Sequence, residues 1–424
     1  MTMTNPELVI RKAVWKGEEV DLLVADGKIQ DILPSSDTMY EGAEVVAARG
    51  YLLMPSLTDV HTHLREPGFE YKEDIASGLN AAVHGGFSNI MCMANTDPVN
   101  DNAVITDQML HRARAEFPDG PRLFPIGALT KKLEGKELSP MYELADTGCV
   151  AFSNDGLPIK NTELFRRALE YASDTGLPVI DHCEDPYLEI GAGVNEGAVS
   201  SLLGLAGQPD VAEATQVARD LLLAEYLDIH IHLAHISCRK SVDLIAWAKK
   251  RGVKVTAETC PHYLLLTEEV VEGYGTDTKV NPPLRTADDV EALLQAIREG
   301  IIDMFATDHA PHAAHEKEVE FMVAPCGISG LDSALSLTWS LVASGKLTFD
   351  DFIRMWTTAP CETFGLPLNG FNKGDVADFF LFAPDEEWIL SPETMYSKGK
   401  NTPFMGQTLK GRVISHFLGG KKIV

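Results

Sequence analysis

Apolar residues along the chain change their spacing twice. Over the first fifty positions they partly alternate in short stretches, "ELVIRKAVW" and "VDLLVADGKIQDIL", which predicts strands. Lys16-Gly17 and Asp26-Gly27 supply turn dipeptides between them. The last sixty positions return to that texture in "DVADFFLFAP" and "GQTLKGRVISHFLGG". Between these ends lie eight compact runs: "LLMPSLTDVHTH", "FSNIMCMAN", "RLFPIGAL", "CVAFSND", "LPVIDH", "DIHIHLAH", "VKVTAET" and "IIDMFATD". Segments of helical spacing separate many of them, such as "NTELFRRALEYASDTG", "DVAEATQVARDLLLAEYL" and "CRKSVDLIAWAKKRG". Several of these end at a glycine, a common left-handed stop. Eight strand–helix units in succession predict a (β/α)8 barrel rather than an open sheet. The sequence contains no GxGxxG or GxxxxGK[ST] loop, so the usual nucleotide fingerprints are absent.

Charge narrows the partners. The 424 residues include 62 acidic and 36 basic side chains, a formal net charge of −26. Nucleic acid and anionic membranes would be repelled by such a chain. A small anion would not, because a local arginine and a metal can reverse the field inside a cleft. Seven cysteines are dispersed singly with no CxxC pair, a pattern of reduced thiols in a cytoplasmic protein rather than a disulfide framework. The opening "MTMTNPELVIRK" lacks the basic and apolar regions of a signal peptide. No apolar run approaches the roughly 18 residues of a membrane span.

In a barrel, catalytic groups stand at the C-terminal strand ends. Those ends carry His61 and His63, Asn95, Asp155, His182, His235 and Asp308. His61 and His63 are two apart on a strand, so both face one side. The strand before them, "YLLMPSLTDV", is too apolar to be exposed, and buried histidines need partners. "DIHIHLAHIS" offers a second HxH pair, His230 and His232, of opposite parity to His235. Both faces of a barrel strand are buried, so periodicity does not choose between them. His235 is last and nearest the rim, which favours it over His232 as the ligand and favours packing or wall hydrogen bonds for the pair. Asp308, in "FATDHAPH", suits metal ligation and proton transfer; a helix N-cap is the competing role, disfavoured by Pro311. His309 beside it is a candidate to hydrogen-bond a ligand, and His312 to reach substrate. Asp155, in "FSNDG", has turn chemistry as its alternative.

Imidazole and carboxylate ligands without cysteine favour Zn²⁺, with Co²⁺ and Mn²⁺ as alternatives. Five or six candidates exceed what one tetrahedral ion needs, so two ions about 3.5 Å apart become a reasonable expectation. The chemistry expected of them is hydrolysis at a carbonyl, or its reverse.

"DVHTHLREPGFEYKEDIASGLNAAVHGGF", "MANTDP", "AFSNDG", "DHCED", "NEG", "HLAHIS", "NPPLR" and "FATDHAPH" together resemble dihydroorotase of the class I bacterial type, a cyclic amidohydrolase of pyrimidine biosynthesis. The resemblance runs from about residue 50 to 365. It implies a TIM-like barrel over 55–365 and a small β-sandwich domain built from both chain ends, 1–54 and 366–424. It implies that His61, His63 and Asp308 bind one zinc, that His182 and His235 bind a second, and that Asp155 bridges them. Related dihydropyrimidinases bridge with a carboxylated lysine; here the nearest lysine to Asp155 is Lys160. Arg65, Asn95 and His312 would hold the substrate's carboxylate, Asn281 would make another contact, and the Cys326-Gly327 backbone would line the ring. The substrate implied is N-carbamoyl-L-aspartate or dihydroorotate, with Asp308 as the catalytic acid–base.

Departures from the family pattern are Ala94 for a proline, Asn154 for an aspartate, and "TCPHY" around His262. The competing expectations are a hydantoinase, allantoinase or dihydropyrimidinase, or a non-catalytic subunit that scaffolds aspartate carbamoyltransferase. A homodimer and docking of an active enzyme on that transferase stay open.

Overall fold

The computed structural model describes residues 5–188, 193–368 and 370–424. Two sheets divide them. Eight parallel strands follow one another in chain order: Leu57–Thr62, Phe87–Cys92, Arg122–Ala128, Ala151–Ser153, Val179–Asp181, Ile231–Leu233, Val255–Thr259 and Met304–Phe305. Each falls inside one of the eight apolar runs. A parallel bridge from Thr62 to His309 joins the last strand's end to the first. The Asp59 carboxylate strengthens that seam, accepting the Thr307 amide at 3.0 Å and hydroxyl at 2.5 Å. The barrel fold follows from the pattern: with helices outside and side chains inside, both strand faces are buried and alternation disappears. All six residues of Leu57–Thr62 and of Phe87–Cys92 are buried.

The helices between strands carry the expected spacing. In Thr162–Thr175 the buried residues are Phe165, Ala168, Leu169 and Ala172, at intervals of three and four, and Asn161 caps its first turn. Gly176 ends it in the left-handed region at φ +76°. The helix Asp210–Leu227 ends differently, on Asp228 at φ +53°. A short polar side chain tolerates that conformation better than most.

Both chain ends build the second sheet, through strands between Leu8 and Pro55 and between Phe379 and Lys422. The strands of the expected sandwich are all joined by hydrogen bonds into one mixed sheet of eight. Alternate residues such as Leu8, Ile10, Leu22, Val24, Phe379 and Leu381 share a core of their own. Lys16-Gly17 and Asp26-Gly27 both have positive φ at both residues, the geometry a two-residue hairpin of right-twisted strands requires. The run "LLMPSLTDVHTH" does not form a single strand. Leu52–Pro55 pairs antiparallel with Phe379–Phe382 in the small sheet, while Leu57–Thr62 enters the barrel. Pro55 has no amide to extend a ladder, and the Ser56 amide turns to Asp378 O. No helix among the described residues is long and apolar enough to cross a membrane.

Candidate metal centre

Asp155 stands at the middle of four imidazoles. Its Oδ1 is 3.4 Å from His61 Nε2, 3.5 Å from His182 Nδ1 and 3.6 Å from His235 Nε2. Its Oδ2 is 3.6 Å from His63 Nε2. Strand ends one, four, five and six thus converge, and the nitrogens fall into two triads that share Asp155: His61–His63–Asp155 and Asp155–His182–His235. Asp308, from the eighth strand end, adds a carboxylate oxygen 3.1 Å from His63 Nε2 and 3.5 Å from His61 Nε2.

These groups fit a dication on evidence of their own. His61 Nε2 and Asp155 Oδ1 are buried without a hydrogen-bond partner, although buried polar atoms are almost always paired. His182 Nδ1 and His235 Nε2 approach to 2.8 Å. Nitrogen and carboxylate oxygen donors with no thiolate suit zinc and its borderline neighbours. Electrostatics agrees. Burial works against charge throughout, yet the histidines hold the Asp155 and Asp308 carboxyls well below the usual range. Reciprocally, the surrounding carboxylates raise His61 and His182 well above theirs against the same burial.

A cavity of about 250 Å³ opens beside the cluster, and Arg65, Asn95, Asn281, His312, Cys326 and Gly327 all line it. Larger clefts of about 480 and 510 Å³ lie elsewhere, and neither contains a histidine. Arg65 Nε donates to Pro311 O at 3.3 Å, fixing the guanidinium beside the loop of His312. His312 Nε2 donates to Cys326 O at 2.9 Å. Burial, then the adjacent Arg65, pushes His312 down to about 3. Gly327 has φ +143°, and a Cβ there would meet Ala310 O at 2.5 Å. Arg65, His235 and Asp308 also have positive φ, at 63°, 35° and 46°. Non-glycine residues persist in that region only where the surroundings over-determine them.

Residues 50–241 match the model of the Dihydro-orotase-like family. The dihydroorotase of Syntrophus aciditrophicus is 46% identical over 403 residues, 95% of this chain and 94% of its own. That of Pelobacter propionicus is 47% identical over 407 residues, 96% and 95% of the two chains. The chain belongs to the dihydroorotase family. Among solved structures, L-hydantoinase from Arthrobacter aurescens superposes with a TM-score of 0.86 at 22% identity, covering 99% of this chain and 96% of that one. Dihydropyrimidinase from Brevibacillus agri gives 0.79 at 23% identity, covering 99% and 94%. At such identity these two speak for the fold alone, a barrel with a companion β sheet.

Within this dihydroorotase-family site, several side chains have duties that the sequence did not disclose. Asn95 Oδ1 accepts from His63 Nδ1 at 2.9 Å, so Asn95 orients a histidine as well as lining the cavity. His309 turns away from the cluster: its Nδ1 accepts from the Gly330 amide and its Nε2 faces Glu73 at 3.4 Å. Only its backbone carbonyl reaches the site, accepting from the His63 amide. His230 and His232 both hydrogen-bond Thr256 Oγ1 in the barrel wall. Asn154 Oδ1 accepts from the Thr130 amide and hydroxyl, tying two strand-end loops together away from the imidazoles. Two glutamates were not anticipated. Glu258 accepts from His61 Nδ1 at 2.7 Å, from His232 Nε2 at 2.9 Å and from the His235 amide at 3.3 Å. Glu184 accepts from His182 Nε2 at 3.2 Å. A charge inside the apolar run "VKVTAET" was the available signal for Glu258; Glu184 had only its closeness to His182.

Proposed function

We propose that this protein is a two-zinc dihydroorotase of the cytoplasm, interconverting (S)-dihydroorotate and N-carbamoyl-L-aspartate in pyrimidine biosynthesis. The observation that carries the reading is one carboxylate, Asp155, shared by two histidine pairs beside a cavity lined by the half-buried Arg65. His61, His63 and Asp308 would hold one ion, His182 and His235 the other, with Asp155 between. When bound, the ions supply Lewis-acid polarisation of the scissile carbonyl and a water acidified toward a pKa of about 7.

The chain's own residues do the rest. Arg65 pairs with the substrate carboxylate through charge-assisted hydrogen bonds, often bidentate for this pair. Asn95, Asn281 and His312 complete the polar wall, and the Cys326-Gly327 backbone shapes the space for the ring. Asp308 takes the proton from the attacking water and gives it to the departing ring nitrogen, general base and then general acid. In the biosynthetic direction the carbamoyl nitrogen attacks the carbon of the protonated side-chain carboxyl, and Asp308 takes the N–H proton. Asp308 then gives it to the carboxyl OH, which leaves as water.

Hydantoinases and dihydropyrimidinases share the fold, so substrate must be tested directly. Purified protein is assayed with dihydroorotate, carbamoyl-aspartate, dihydrouracil and hydantoin. The proposal expects turnover of the first two. Turnover of dihydrouracil or hydantoin in preference would assign the site to a substrate without the carboxylate. A homodimer, and docking on aspartate carbamoyltransferase, are compatible additions that this assay leaves independent.

A further inference from the structure

Glu184 is nearly out of solvent, 4% exposed, and both of its oxygens are engaged. Oε2 accepts from His182 Nε2 at 3.2 Å and from Asn281 Nδ2 at 3.1 Å. Oε1 accepts from Gln208 Nε2 at 2.7 Å. Gln208 Nε2 is also 3.3 Å from Asn281 Oδ1, closing a ring of three side chains. Gln208 is itself held, because its carbonyl accepts from Arg285 Nη1, which also donates to Asn195 Oδ1.

A carboxylate only accepts. A neutral His182 that donates to Glu184 carries its proton on Nε2, which turns a lone pair on Nδ1 toward Asp155 and His235. The other imidazoles differ in support. His61 has the Glu258 carboxylate behind it at 2.7 Å and His63 has the neutral Asn95. His235 Nδ1 is buried with no partner. In the His182–His235 pair, Glu184 is thus the one side chain among the described residues that sets an imidazole's tautomer from behind. The same oxygen touches Asn281, on the wall of the cavity.

We propose that Glu184 is a positioning residue. It fixes the tautomer and angle of His182 for the second metal position and couples that position to the substrate contact at Asn281. The proposal rests on the two-metal reading above. Partners that orient a ligand histidine in this way typically change metal affinity about 10- to 100-fold when removed. The coupling adds a second consequence: substrate affinity should depend on whether the second position is filled.

The test uses the full chain, stripped of metal by chelation and titrated with zinc alone by calorimetry and equilibrium dialysis. Wild type, Glu184→Gln and Gln208→Met are compared, with circular dichroism and the metal-free melting temperature recorded for each. The expected result is two equivalents in wild type. In Glu184→Gln one equivalent is unchanged and one is weakened about 10- to 100-fold. Gln208→Met should move the same equivalent in the same direction by less, and it carries the test if the first variant fails to fold. At zinc levels that half-fill the weaker position, Glu184→Gln should raise KM for dihydroorotate, and saturating zinc should restore it. Two equivalents bound by Glu184→Gln with wild-type affinities would overturn the proposal while leaving the two-metal reading intact. So would a lowered metal-free melting temperature with unchanged zinc binding, the mark of a structural role alone. A wild-type protein that takes a single equivalent would overturn the two-metal reading and this proposal with it.

Discussion

Replacing Arg65 by methionine removes the cavity's guanidinium while keeping an unbranched side chain of similar girth. The residue sits at φ +63°, a conformation that costs arginine and methionine alike, so the change reports charge rather than backbone. Its structural tie is modest, one hydrogen bond from Nε to Pro311 O at 3.3 Å. The functional loss should be larger. Two charge-assisted hydrogen bonds to a carboxylate contribute about 1.5–3 kcal/mol each. Truncating one partner of a desolvated charge pair costs about 2–5 kcal/mol, equivalent to a fall in kcat/KM of about 30- to 5,000-fold. The carboxylate is present in the ground state and the transition state alike, so the loss should fall chiefly on KM. Steady-state kinetics in both directions, with zinc measured on the same samples, makes the comparison. Zinc content should match wild type, since Arg65 belongs to neither triad. An unchanged KM in the metal-loaded variant would place carboxylate recognition on other residues and refute this reasoning.

Asp308→Asn should lower turnover by at least about 10²-fold, the lower end of a general acid–base contribution, with most of the zinc retained; near-wild-type turnover would remove Asp308 from proton transfer. Gly327→Ala must place a methyl 2.5 Å from Ala310 O at φ +143°, so kcat/KM should drop at least about tenfold, as misplacements near an ångström do; unaltered kinetics would show that the loop relaxes freely. His416 links the small sheet to the barrel, its Nε2 accepting from the Ser56 hydroxyl at 2.8 Å and its Nδ1 donating to Val83 O at 2.7 Å. Burial pushes this imidazole down to about 4, so the unfolded chain binds its proton first on acidification. Its stabilising effect is complete above pH about 6.5 and disappears as pH falls toward 4; between pH 7 and 5 wild type should lose about 2 kcal/mol more than His416→Gln. Parallel urea midpoints for the two proteins across that range would contradict it.

The barrel was legible because its strands are buried on both faces, and eight short apolar runs separated by helical spacing suit few other architectures. The rim rule did further work at "DIHIHLAHIS". His235, the last histidine, lies 3.6 Å from Asp155, while His232 sits in the wall on Thr256 and Glu258. What stayed hidden depends on contacts between distant positions. Glu258 reaches His61 across 197 residues, and nothing in the spacing of either announces the pair. The division of "LLMPSLTDVHTH" between two sheets also eluded pattern reading, since the two halves adjoin with only Ser56 between them and it is the pairing of Leu52–Pro55 with Phe379–Phe382 that separates them. His309 looked like an ally of Asp308 by adjacency. The positive φ of Asp308 accompanies a turn in the chain that leaves its neighbour facing Glu73.

In the proposed mechanism one aspartate, set among four histidines, would hold two ions that make hydrolysis of a cyclic amide possible. The most direct test strips the protein of metal, returns zinc stepwise, and follows dihydroorotate turnover against zinc bound. Turnover should be nil at zero zinc, reach its full value as the second equivalent binds, and vanish again on chelation. Turnover by the metal-free protein, or two bound equivalents with no turnover, would contradict it.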